Sequence, residues 1–184
     1  MERRLDFNGI DRLSKHTLSD VFGVTYTTVE PYVPFLNEYC AKYEIDTPLR
    51  LAAFLAQVGH ESGRFRYSEE IAKGTAYEYR RDLGNTHKGD GPKYKGRGLI
   101  QVTGRYNYEA ISKDLGINFV DNPTLLATPE YAVWSACWYW NKYKLNKLAD
   151  EGHFRDITKK INGGYNGLED REKLYSKCKQ MLNI

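Results

Sequence analysis

The sequence predicts a mainly α-helical body with a small β-hairpin or loop region beside it. Three observations carry this reading. Apolar residues recur at helical spacing in five separate segments. Two Thr-Pro pairs, Thr47-Pro48 and Thr128-Pro129, mark helix starts with proline at the first helical position. Glycines gather around one short extended-type run within residues 84–108. At 184 residues and 21.3 kDa, the chain has room for one domain, or one domain in two lobes.

The elements follow in order. Residues 1–46 are read as a helical segment preceding a core at 47–184, the whole forming a single domain. Within that segment, Pro34 to Tyr43 carries Leu36, Tyr39, Cys40 and Tyr43 on one face. After the cap at Thr47, the residues Leu51, Phe54, Leu55 and Val58 follow at i, i+3, i+4 and i+7, which predicts a buried helix. Gly84, Gly89, Gly91, Pro92, Gly96, Gly98 and Gly104 then surround Leu99-Ile100-Gln101-Val102-Thr103. That pattern predicts turns about a brief strand, and long irregular segments of compact domains tend to serve function. The helix from Thr128-Pro129 to Trp140 is apolar on nearly every side, as a central core helix is. A shorter helix around Phe154, Ile157 and Ile161 stops at Asn162-Gly163-Gly164. The last, about Asp170 to Leu182, presents Leu174, Tyr175, Cys178, Met181 and Leu182. A helical body with one irregular region implies a cleft between two lobes.

Composition narrows the function. Hydrophobic residues at 41% and charged ones at 28% exclude a disordered chain, a collagen-like repeat or a membrane bundle. Aromatic residues reach 14%, fifteen of them Tyr, which suits a small core or a cleft for a polar, flat-faced ligand such as a sugar. Cys40, Cys137 and Cys178 lack short pair spacing and lie in apolar helical contexts, so they read as buried thiols. The formal charge is +3, and residues 141–184 hold ten Lys/Arg against six Asp/Glu, leaving 17 against 18 elsewhere. This basic quarter is either a solvated face or an attraction to an anionic polymer. The start, Met1 to Arg12, lacks the apolar core of an export signal, and no run approaches the ~18 apolar residues of a spanning helix. The expected location is the cytoplasm until another protein provides release.

Glu61 extends the stripe of Leu51, Phe54, Leu55 and Val58 by one step. Burial there would raise its pKa, as a general acid working near neutrality requires; the alternative is a carboxylate at a helix end paired with a nearby Arg. Glu69 and Glu70 follow beyond Gly63, and glycosidic hydrolysis uses two carboxylates flanking the bond. Gln101, Thr103, Asn107 and Asn162 stand near glycines and suit sugar hydroxyls or acetamido groups, with Tyr106 and Tyr108 as candidates for a sugar-binding wall. His16, His60, His87 and His153 lack metal-ligand spacing, and neither a Gly-x-Ser-x-Gly elbow nor a phosphate loop is present. No metal and no cofactor is expected.

Four blocks carry a family resemblance: Phe54-Leu-Ala-Gln-Val-Gly-His-Glu-Ser-Gly, Lys95-Gly-Arg-Gly-Leu-Ile-Gln-Val-Thr-Gly-Arg-Tyr-Asn-Tyr, Asp121-Asn-Pro, and Ile161-Asn-Gly-Gly-Tyr-Asn-Gly. In this order they resemble the family 19 glycoside hydrolases, over about Thr47 to Tyr175, and most closely the phage and prophage endolysins among them. The resemblance implies a lysozyme-like two-lobed helical domain and an inverting mechanism. It implies that Glu61 is the general acid, that Glu70 rather than Glu69 is the second carboxylate, and that Thr103 helps hold the attacking water. Gln101, Asn107 and Asn162 match sugar-contacting positions, Tyr106 lies in the same block and is read with them as substrate-binding, and Arg171 matches an arginine near the cleft. Arg64 departs from the family by replacing a second glycine, and Thr75 stands where a serine is common.

The expected activity is hydrolysis of β-1,4 bonds of peptidoglycan by a monomer that needs a holin to reach the wall, without nucleic acid or stable membrane insertion. The basic C-terminal quarter would aid contact with an anionic envelope. A chitinase is the rival enzyme, and a non-catalytic glycan-binding module is the rival from another class.

Overall fold

A computed structural model describes residues 13–184 of the chain. Residues 1–12, which bear on the expected lack of an export signal and open the segment expected to be helical over 1–46, lie outside the described residues. Ten α-helices are present among the described residues: α1 Lys15–Phe22, α2 Tyr26–Val29, α3 Val33–Lys42, α4 Pro48–Glu61, α5 Asp90–Lys93, α6 Arg105–Leu115, α7 Pro129–Lys142, α8 Leu145–Asp150, α9 Phe154–Asn162 and α10 Leu168–Met181. None is long and apolar enough to cross a membrane.

The chain's own punctuation explains the main helices. Thr47 caps α4 by accepting the Arg50 amide at 3.2 Å, and Pro48 fills the first helical position. Every residue from Leu51 to Gly59 is then buried, and α4 packs most extensively on α10. Gly59 permits this density, because any side chain there would overlap the Phe22 ring. Thr128 behaves differently from the expected cap: its hydroxyl donates to the Leu125 carbonyl at 2.6 Å, and Pro129 alone marks the start of α7. Gly163, in the left-handed region at φ 81°, ends α9 where the glycine pair predicted a stop.

Two clusters of buried side chains give the two lobes physical content. The larger gathers residues from α1, α3, α4 and α7 through α10, among them Leu36, Phe54, Trp140, Leu174 and Cys178. The smaller holds Tyr94, Val102, Tyr108, Ile111, Phe119, Leu126 and Trp138. Helix α7 divides them, with Trp140 and Cys137 on one side, Trp138 on the other, and Tyr139 touching both. Its indole N–H groups are all satisfied, by the Tyr43 hydroxyl, Asp114 and Asn146. The three cysteines are buried free thiols as expected, and burial pushes the Cys178 thiol up to about 12.

Two local expectations change. The strand at 99–103 reduces to single bridges, Glu69 with Arg97 and Arg97 with Val102. Leu99, Ile100 and Gln101 form the turn between them, since Gly98 is in the left-handed region at φ 96° and the Leu99 amide donates to Ala132 of α7 at 3.1 Å. The apolar run thus serves to pin the loop to the helical body, where Leu99 and Ile100 join the larger cluster. Helix α6 begins inside the stretch read as irregular; its buried face is narrow, with only Tyr108 and Ile111 fully covered.

Candidate active site

Glu61 is the last residue of α4, so its side chain leaves the buried stripe at the helix end. It remains 22% exposed, and the apolar enclosure expected for it is partial. Its neighbour is instead a cation, so the arrangement is the alternative one, a helix-end carboxylate paired with an arginine: Arg171 Nη2 donates to Glu61 Oε1 at 2.5 Å. Arg171 is 1% exposed, and each arm of its guanidinium is used, Nη1 donating to Gln57 Oε1 at 2.7 Å and Nε to the Asn166 carbonyl at 3.1 Å. Gln57 in turn donates to Thr158 Oγ1 at 2.9 Å. The planar fork is therefore fixed from three sides, and it fixes the Glu61 carboxylate.

A second clasp lies one residue away on both helices. Asp170 accepts from Arg64 Nη2 at 2.6 Å and lies 2.7 Å from His60 Nδ1. Burial opposes the Asp170 charge, but the His60 and Arg64 hydrogen bonds outweigh it and hold the carboxyl below the usual range. Arg64 reaches Asp170 from a left-handed backbone, φ 62°, flanked by Gly63 and Phe65 at φ 56° and 65°. A non-glycine residue there costs about 1 kcal/mol or more. Burial of Phe65 and its amide bond to Ser62 Oγ at 2.8 Å help hold the turn.

The two acids at 69 and 70 separate cleanly. Glu69 is an ion-pair partner of Lys95 at 3.0 Å and Arg97 at 3.4 Å; the Lys95 hydrogen bond, against partial burial, holds its carboxyl below the usual range. Glu70 accepts the Gly96 amide at Oε1, 2.7 Å, and the Tyr77 hydroxyl at Oε2, 3.0 Å. Burial and the adjoining Glu70 raise the Tyr77 pKa, so that hydroxyl stays a donor. No cation sits on the Glu70 carboxylate among the described residues.

Gly96 has no room for a side chain because Gln101 packs over it, its Oε1 at 2.9 Å from where a Cβ would stand. Thr103 Oγ1 donates to the Gln101 carbonyl at 3.2 Å, and Asn107 Nδ2 donates to the Thr103 carbonyl at 2.8 Å. Glu70, Gln101, Thr103 and Asn107 therefore form one contiguous group on the loop lobe. Tyr106 is 59% exposed, with Gly84 against its ring. Tyr108 is fully buried, donating to the Lys95 carbonyl and accepting from Arg97 Nη1, so it belongs to the smaller core rather than to a sugar-binding wall. Asn162 accepts the Asn166 amide at 3.2 Å and so belongs to the Glu61–Arg171 group.

Sequence reasoning missed Gln57, Asp170 and Tyr77. A signal existed for Gln57, a lone polar residue inside an apolar helix. The other two are recognisable only from their partners. A cavity of about 690 Å³ lies between α9 and α10 against His153, Tyr165, Glu172 and Tyr175 and contains none of the nominated residues.

A helical fold with two cores, a carboxylate clamped by arginine at the end of α4 and a second carboxylate held by amide and hydroxyl on the loop lobe fit the class of lysozyme-like glycoside hydrolases. Comparison with known proteins specifies it. The family model described as class I chitinase, glycoside hydrolase family 19, matches residues 35–158. A glycosyl hydrolase family 19 domain-containing protein of Haemophilus influenzae is 35% identical over 158 residues, covering 69% of this chain and 77% of that protein. An endochitinase of Arabidopsis thaliana is 42% identical over 121 residues, 62% of this chain but only 39% of its own. Chitinase C of Streptomyces griseus superposes with a TM-score of 0.74 at 25% identity, covering 96% of this chain and 94% of its own. The chain belongs to the family 19 glycoside hydrolases.

Proposed function

We propose that the protein is an endolysin that hydrolyses β-1,4 bonds of peptidoglycan with inversion, causing lysis after a holin opens its way to the wall. The observation that carries the catalytic part is the Glu61–Arg171 clamp at the end of α4. Glu61 protonates the leaving oxygen, and the fork on its Oε1 orients the carboxyl. Glu70, fixed by Gly96 and Tyr77, activates water on the opposite face of the sugar, and Thr103 helps position that water. Gln101, Tyr106, Asn107 and Asn162 line the strand's path. The choice of peptidoglycan rests on the motif likeness to the phage branch.

Chitin hydrolysis is the second reading, favoured by relatives described as endochitinases. Mass spectrometry of the products decides. Fragments from purified sacculi ending in reducing N-acetylmuramic acid support the proposal, whereas soluble products from chitin alone would replace it. Glu61→Gln should keep fold and glycan binding and release nothing; full lysis by that variant removes Glu61 from its role. Neutralising Lys173, Lys177 and Lys179 together should weaken wall binding at low salt.

A further inference from the structure

We infer that the outer surface of the loop lobe is a docking surface for a glycan bearing carboxylate groups, and that it favours such a strand over a neutral one. The inference deepens the peptidoglycan reading and rests on it. Residues 64–105 carry ten Lys/Arg against five Asp/Glu, whereas the segments on either side are acidic, three against six over 13–63 and one against four over 106–140. A count over everything before residue 141 averages this concentration away.

All five acids of the lobe are engaged at home. Glu69 pairs with Lys95 and Arg97, Asp82 with Arg80, and Asp90 with Arg105. Glu78 accepts the amides of Gly89 and Gly91, both at 3.1 Å, and Glu70 those of Gly96 and the Tyr77 hydroxyl. Arg64 reaches across to Asp170. Arg66, Lys73, Arg81, Lys88 and Lys93 are left exposed with no carboxylate partner among the described residues.

Arg66 lines a hollow with Thr27, Pro31 and Tyr32 of the helical body, whereas Lys73, Arg81, Lys88 and Lys93 belong to the lobe that presents Glu70, Gln101, Thr103 and Asn107. Its two loops are bound together, since Gly74 packs on Gly91, Pro92 and Lys95, and Leu83 packs on Gly104. A strand crossing the candidate site therefore passes a positive field. Unsubstituted poly-N-acetylglucosamine gains nothing from that field. A strand carrying lactyl and peptide carboxylates gains affinity and encounter rate, both falling with salt.

The test measures equilibrium binding in the Glu61→Gln background, which leaves the glycan intact. Purified sacculi and colloidal chitin are the probes, with duplex DNA as competitor. Replacing Lys73, Arg81, Lys88 and Lys93 by Gln should weaken binding to sacculi about tenfold at low salt, flatten its salt dependence, and leave chitin binding unchanged. Changing the three lysines to Arg should preserve binding. If the fourfold variant fails to fold, Lys73→Gln with Lys88→Gln should still lose about threefold. Equal losses on both glycans, no loss on sacculi, or displacement by DNA at equal charge concentration would each overturn the inference. Product analysis on the wild-type protein separates the two levels: charge-dependent binding without cleavage removes the endolysin reading and leaves the docking surface standing.

Discussion

Replacing Arg171 by Met tests the clamp directly. The guanidinium is 1% exposed and donates to Glu61, Gln57 and the Asn166 carbonyl, so the substitution leaves three acceptors without their donor. Breaking a buried ion pair from one side costs about 3–5 kcal/mol, because the surviving charge is stranded. Glu61 is 22% exposed, so water can partly restore its solvation and the lower part of that range applies. Taking ~3 kcal/mol, and a midpoint shift of about 2–4 °C per kcal/mol for a chain of this size, thermal unfolding should fall by ~6–12 °C. Fragment release should fall at least ~100-fold, since Glu61 loses its orientation. The double variant with Glu61→Gln separates the causes. If the stranded charge dominates, the two changes together should recover at least ~1 kcal/mol relative to their sum. A Met variant within ~1 kcal/mol of the parent, or additivity within ~0.5 kcal/mol, would refute the stranded-charge account.

Three further outcomes are expected. Glu70→Gln should abolish fragment release with little change in melting. Glu69→Gln should retain activity within about tenfold and melt lower, because Lys95 and Arg97 lose their shared partner; the reverse pattern would exchange their roles. The Arg105 fork holds the Asp90 carboxyl below the usual range despite desolvation, so its stabilisation is complete above about pH 3.9 and is lost as pH falls through the lowered folded value. Denaturation of wild type and Asp90→Asn should show a constant stability gap from neutrality to about pH 5 that closes in stronger acid, and closure between pH 5 and 7 would contradict the assignment. In native-state hydrogen exchange, the amides of Arg97 and Val102 should open at lower free energy than those in the middle of α4, since the smaller cluster holds seven buried residues; equal protection would refute separate stability of the lobes.

Much of the helical body is legible in the sequence because local rules and burial agree there. Thr47-Pro48 starts α4 by a side-chain cap, and Gly163 ends α9 by left-handed geometry. The loop lobe is less legible because its apolar residues obey distant partners. Leu99 and Ile100 read as a strand and form a turn, since the Leu99 amide is satisfied by Ala132, 33 positions along the chain. Tyr108 lies between glycines and polar residues in sequence, yet Arg97 and the Lys95 carbonyl take its hydroxyl inward. At the site, periodicity places Glu61 at the end of the buried stripe. Nothing local could say that an arginine 110 positions away completes that stripe.

The departure at Arg64 then has a physical account. The alternation His60–Glu61 on α4 faces Asp170–Arg171 on α10, giving a hydrogen bond and an ion pair side by side. Glycine after Gly63 would adopt the left-handed turn at less cost but would leave Asp170 with His60 alone. With Arg64, the same turn carries a guanidinium back to Asp170 and ties the segment following Glu61 to α10. The backbone strain of the turn is thereby set against an ion pair and the burial of Phe65. Helix ends usually fray; this one is bound to α10 at His60, Glu61 and Arg64. A carboxylate on a helix terminus can hold one orientation only if the terminus is held, and here Arg171, itself fixed on Gln57 of α4, and Asp170 hold it. Glu70 draws its position from the Gly96 amide and the Tyr77 hydroxyl of the loop lobe. The two carboxylates are thus held by separate sets of partners, while Leu99 and Ile100 pin the loop that carries Gly96 to the larger core.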